Sequence, residues 1–130
     1  MLFKRNLYVV LSACLVFAQA CRQKSVPVVE FNFTHEISPQ PVRVGPVTIT
    51  LRIADVSGRP VTGARMAIEG NMSHAGMTPV FAEAIETGDG RYRASLELSM
   101  AGDWVVLVHA TLPDGRKLEH QFEINGVAPA

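Results

Sequence analysis

From Val28 to the C-terminus, apolar side chains return at every second position, and clusters of Gly, Pro, Asp and Ser interrupt them at intervals. Alternation of this kind puts one row of side chains on one face of a pleated strand, whereas a helix would repeat at three and four. Val47, Ile49, Leu51 and Ile53 alternate with Thr48, Thr50 and Arg52. Tyr92, Ala94, Leu96 and Leu98 alternate with Arg91, Arg93, Ser95 and Glu97, and Leu118, Phe122 and Ile124 with Lys117, Glu119, Gln121 and Glu123. Trp104 to Ala110 is apolar on both sides, as a central strand would be. Val28–Phe33, Ala64–Gly70 and Val80–Glu86 bring the expected strands to seven. Between them lie Ser57-Gly58-Arg59-Pro60, Gly88-Asp89-Gly90 and Pro113-Asp114-Gly115, where glycine supplies positive φ and proline presets its own. The pattern predicts an all-β, seven-stranded antiparallel sandwich of immunoglobulin-like type.

The last hairpin fixes its own register. With a two-residue loop at Asp114-Gly115, Trp104 and Val106 would share a face with Glu123 and Asn125. With a three-residue loop and Gly115 left-handed, Val106 falls opposite Phe122 and Trp104 opposite Ile124. The second register puts apolar against apolar, and a slip of one residue would invert the core face. It also places His120 on the inner face and His109 beside Glu119 on the outer one.

Residues 1–21, MLFKRNLYVVLSACLVFAQAC, read as an export signal. Lys4 and Arg5 form a positive n-region, Leu7 to Phe17 an apolar h-region, and Ala18-Gln19-Ala20 a small-residue cleavage site. Cys21 follows the cut directly, which is the placement of a lipidated cysteine; Cys14 sits too close to Lys4 and Arg5 to serve. The plainer alternative is secretion after Ala20 with Cys21 a passenger. A spanning helix needs about 20 apolar residues, and this segment is shorter and interrupted. The expected organisation is a signal over 1–20, a tether over 21–27 carrying lipid on Cys21, and a sandwich over 28–126. Its expected address is the cell envelope, facing the periplasm or the outside.

Both cysteines belong to the signal or its edge, so the folded part must stand on its core without a disulfide. It has no cysteine nucleophile and no thiolate metal site. Twelve basic and twelve acidic residues are interspersed without runs, which argues against a nucleic-acid partner. No polybasic patch is present to hold a membrane, so the lipid on Cys21 is the expected anchor.

The loop Asn71-Met72-Ser73-His74-Ala75-Gly76-Met77-Thr78-Pro79 carries side chains that the fold does not demand. Strand alternation sends it to one pole of the sandwich. Counting strands sends His35, after the first strand, and Met100, before Trp104, to the same pole. Met72, His74, Met77, Met100 and His35 together would suit Cu(I) better than Zn(II) or Mg(II), because thioether sulfur is soft and imidazole versatile. The competing account makes the methionines gap-fillers over an open core. Met66 reads as core, His120 as an inner histidine and His109 as a surface partner of Glu119.

Catalysis finds little footing. Ser57, Ser73, Ser95 and Ser99 lie in no nucleophile-elbow context. Asp55, Asp89, Asp103 and Asp114 fall at strand ends and turns, where aspartate bonds its own backbone. Glu83 and Glu86, three apart on one strand, face opposite ways.

Asp55-Val-Ser-Gly58-Arg-Pro60-Val-Thr-Gly63-Ala64 resembles the opening of YtkA-like domains. Met72-Ser-His74-Ala-Gly76-Met77 is similar to their methionine-rich loop, and Gly90-Arg-Tyr92 with Met100-Ala-Gly102-Asp-Trp104 to their close. The resemblance runs over about residues 45–125. It implies a small extracytoplasmic immunoglobulin-like domain without enzymatic activity, related to FixH-type proteins associated with assembly of copper-containing terminal oxidases. The combined expectation is a non-catalytic envelope lipoprotein binding Cu(I) at its methionine pole. The alternative is a metal-free interaction module for an envelope protein partner.

Overall fold

The computed structural model describes residues 30–74 and 76–130. The export signal, Cys21 and the tether lie outside them. Seven strands follow in order: β1 (Phe31–Ser38), β2 (Gly45–Asp55), β3 (Arg65–Met72), β4 (Val80–Gly88), β5 (Arg91–Leu98), β6 (Gly102–Thr111) and β7 (Lys117–Val127). They are hydrogen-bonded in the order β1-β2-β5-β4-β3-β6-β7, every neighbouring pair antiparallel.

The period-two pattern becomes the core directly. Val47, Ile49, Leu51 and Ile53 of β2 lie beside Tyr92, Ala94, Leu96 and Leu98 of β5 and share one buried core with Trp104, Val106 and Val108 of β6. Each fully buried Val, Leu or Ile is worth about 1.5–3 kcal/mol, so these rows hold the two layers together. Among the described residues no polar or charged residue is buried.

Strand β4 belongs to both layers. Its first half, Val80 to Ala84, pairs with β3, and Ile85 to Gly88 pairs with β5 across a bulge. One layer is therefore β1-β2-β5 and the other β3-β6-β7, with β4 turning the corner between them. That division, with short connections between antiparallel neighbours, is the immunoglobulin-like arrangement.

The hairpin register is as the apolar pairing required: Trp104 lies opposite Ile124, Val106 opposite Phe122 and His109 opposite Glu119. Gly115 N–H donates to Leu112 C=O at 2.9 Å and Leu112 N–H to Arg116 C=O at 2.8 Å, closing a three-residue loop with Gly115 at φ +88°. At the β4–β5 turn, Asp89 (φ 52°) and Gly90 (φ 71°) both adopt positive φ, as a tight two-residue hairpin turn needs.

The first strand departs from expectation. It runs over Phe31–Ser38 rather than stopping at Phe33. Phe31, Phe33, His35 and Ile37 continue one alternating row, and polar Thr34 and Glu36 merely occupy the outer one. The strand ends at Pro39 and Pro41, which cannot donate to a ladder. Beyond them the chain crosses to β7, where Val44 N–H donates to Ala128 C=O at 2.8 Å and Ala128 N–H to Val42 C=O at 3.0 Å.

Candidate binding site

Met72 ends β3 opposite Trp104 of β6. Gly102 opens β6, and a Cβ there would lie 3.3 Å from the Met72 methyl group. Met100 sits in the turn just before, where its carbonyl accepts the Trp104 indole N–H at 3.0 Å. Ser73 N–H donates to the Asp103 carbonyl at 3.2 Å, so the loop bearing His74 and Met77 leaves from the same pole. Strand alternation thus gathers Met72, Met100 and the root of the His74–Met77 loop around one indole.

Their exposures divide them. Met72 is only 9% exposed and packs into the core, whereas Met77 and Met100 are 38% and 46% exposed. His74 is also exposed. Among the described residues no cluster of three or more His, Asp or Glu side chains could hold a metal. A cation at this pole would therefore rest on thioethers and His74.

His35 does not join them. The expectation placed it after the first strand, at the methionine pole; the longer β1 instead leaves it mid-strand, opposite Leu51. Its ring stacks on Phe122 with centroids 3.9 Å apart. Phe122 pairs with Val106, four residues into β6 from Gly102, which is roughly 13 Å at strand spacing. The error follows from reading three polar residues, Thr34 to Glu36, as the end of a strand.

On the outer face of β3, β6 and β7, His109 lies between two carboxylates. Its Nε2 is 3.2 Å from Glu69 Oε2 and its Nδ1 3.0 Å from Glu119 Oε1. The Glu119 contact follows from the hairpin register. Glu69 was missed, because its approach is diagonal and depends on the β3–β6 register, which no turn sequence sets. The Asn71 amide, and then the His109 ring, hold the Glu69 carboxyl below the ordinary range. On the inner face, burial pushes the His120 imidazole below its usual value, with nearby His35 adding to the effect.

The outward face of β4 carries the largest exposed apolar side chains of the sheet: Phe81 is 70% exposed and Ile85 73%. Glu83 stands between them. Beside it a shallow hollow is lined by Ala67, Glu83, Ile85, His109 and Thr111.

Strand order, shared corner strand and dry two-layer core together define an immunoglobulin-like β domain. The chain belongs to the YtkA-like family, which matches it over residues 25–109. Among curated proteins, none matches. Among solved structures it is similar to murine CRIg at 11% identity and TM-score 0.45, covering 78% of this chain and 98% of that one. It is also similar to AggA, the major subunit of aggregative adherence fimbriae type I from Escherichia coli, at 13% identity and TM-score 0.39, covering 78% of this chain and 96% of that one.

Proposed function

We propose that this chain is an extracytoplasmic accessory module that works by binding a protein partner, tethered to a membrane through lipid on Cys21. The observation that carries the reading is the pair Phe81 and Ile85, more than two-thirds exposed side by side on one face of β4. Exposed apolar groups rimmed by polar ones, here Glu69, Glu83 and Arg65, mark interaction surfaces. Family and fold support the reading, since YtkA-like and immunoglobulin-like domains are in general non-enzymatic. The tether rests on the residues of the signal and on Cys21 alone.

The test is crosslinking in envelope membranes. Wild-type chain captures a defined partner, and Phe81→Ser with Ile85→Ser loses it while unfolding at an unchanged urea midpoint. Equal capture by the double variant would refute this surface. Intact mass of the processed chain checks the lipid on Cys21.

A second reading is Cu(I) binding at the methionine pole, favoured by the convergence of Met72 and Met100 on Trp104. Soft thioethers with one imidazole suit Cu(I). Because Met72 is buried, the exposed His74, Met77 and Met100 carry the test: changing all three to Ala abolishes about one equivalent of Cu(I) uptake against a chelator. Undiminished uptake would end the reading.

A further inference from the structure

Between β1 and β7 the sandwich is closed by side chains. These strands stand at the two ends of the strand order and run parallel to each other. Among the described residues, no ladder pair joins them; the only backbone pairing on this flank is the bridge from Arg43 to Ala128, beyond both Pro39 and Pro41. Phe33 stacks on His120 with centroids 4.7 Å and planes 2° apart, and His35 on Phe122 at 3.9 Å and 14°. The two imidazoles face each other diagonally across the seam, 6.5 Å between centroids and tilted by 49°. Among the described residues, His109 alone of the histidines finds hydrogen-bond partners, so the nitrogens of His35 and His120 are uncommitted.

We propose that His35 and His120 form a two-imidazole site for a soft monovalent d10 cation, Cu(I) or its analogue Ag(I). An imidazole nitrogen lies about 2 Å from a bound metal and roughly 1 Å from its own ring centre, so two collinear imidazoles put their centroids about 6 Å apart. The observed separation of 6.5 Å is close to that span, and the geometry is complete once one nitrogen of each ring turns onto the line between them. Two-coordinate geometry is congenial to Cu(I) and Ag(I), whereas Zn(II) takes four ligands and Ca(II) or Mg(II) six or more oxygens. Carboxylates to enlarge the set are turned away: Glu36 and Glu119 alternate to the outer faces, and Glu119 is engaged by His109. Phe33 and Phe122, stacked on His120 and His35, hold the two imidazole planes. Exposed His35 gives the route of entry.

This site stands apart from the methionine pole, and the test separates them. Ag(I) is titrated into the full chain in detergent while histidine ring resonances are followed by NMR. In the wild type the His35 and His120 signals move together as one equivalent is taken up. They still do so when His74, Met77 and Met100 are all Ala. His35→Phe keeps the stack and the fold but weakens that equivalent roughly tenfold or more. Unmoved His35 and His120 signals, or wild-type affinity in His35→Phe, would overturn the proposal. Equal affinity for Zn(II) at the same two rings would overturn its assignment to a soft cation.

Discussion

The hydroxyl of Tyr92 donates to the carbonyl of Val61 at 2.8 Å and accepts the Ala64 N–H at 3.1 Å, so one buried side chain fastens the loop between β2 and β3. Burial raises the phenol's pKa, which keeps it a donor. Tyr92→Phe preserves the ring and removes both bonds. The expected cost is about 1–2 kcal/mol. For a domain of this size that is a fall in Tm of roughly 4–8 °C per kcal/mol. Calorimetry reads it directly.

Gly90 is the position least able to accept a side chain. Its φ is +71°, and an added Cβ would stand 2.7 Å from the Ile53 carbonyl oxygen and 3.0 Å from Val61 N. Both are backbone atoms held in place by the Ile53 to Gly90 bond at 3.0 Å and the Val61 to Ile53 bond at 2.9 Å. Gly90→Ala therefore costs at least about 2 kcal/mol, more than left-handed strain alone. A urea midpoint within error of wild type would contradict this.

Trp104 is the sole tryptophan and is 1% exposed beneath the methionine pole. Its fluorescence is therefore a site-specific reporter. A cation held by Met77 and Met100 quenches it, whereas one held at His35 and His120 leaves it nearly unchanged. Trp104→Phe removes the bond to Met100 and leaves a void, with an expected loss of about 2–4 kcal/mol in chemical denaturation.

Acid should weaken the fold through three carboxylates. The Ser57 side chain lowers Asp55, the Asn71 amide lowers Glu69, and the Arg116 N–H lowers Asp114. A carboxylate with a depressed folded value contributes stability that is complete above its unfolded value, ordinarily 3.8 for Asp and 4.5 for Glu, and vanishes as pH falls through the folded one. His120, held below its ordinary 6.5 by burial, should begin the fall in urea midpoint as pH drops through that value, and the three carboxylates should steepen it below about 5. Asn71→Ala should make the Glu69 part of that decline shallower.

Much of the fold was legible because strand period and turn chemistry are local. Val47 to Ile53 and Tyr92 to Leu98 declare their buried faces without reference to anything distant, and Gly115 sets a register that fixes His109 against Glu119. The end of β1 was harder: His35 is polar yet occupies an inward row, and Pro39 rather than Glu36 stops the strand. The split loyalty of β4 was invisible too, since Val80 to Glu86 alternates identically whichever neighbour it meets. Of the methionine pole, Met72 and Met100 could be placed by counting strands. Their division into buried and exposed could not, because it depends on how closely Met72 approaches Gly102.

The corner made by β4 limits how the molecule can open. On that flank a continuous polypeptide spans both leaves, so the leaves cannot slide or hinge apart there without breaking a strand. On the opposite flank, among the described residues, no ladder joins the leaves, which meet through stacked rings, Arg116 over Phe31 and one short backbone clasp at Val42–Val44. Any breathing of the domain is therefore one-sided, like a cuff that unbuttons along a single line.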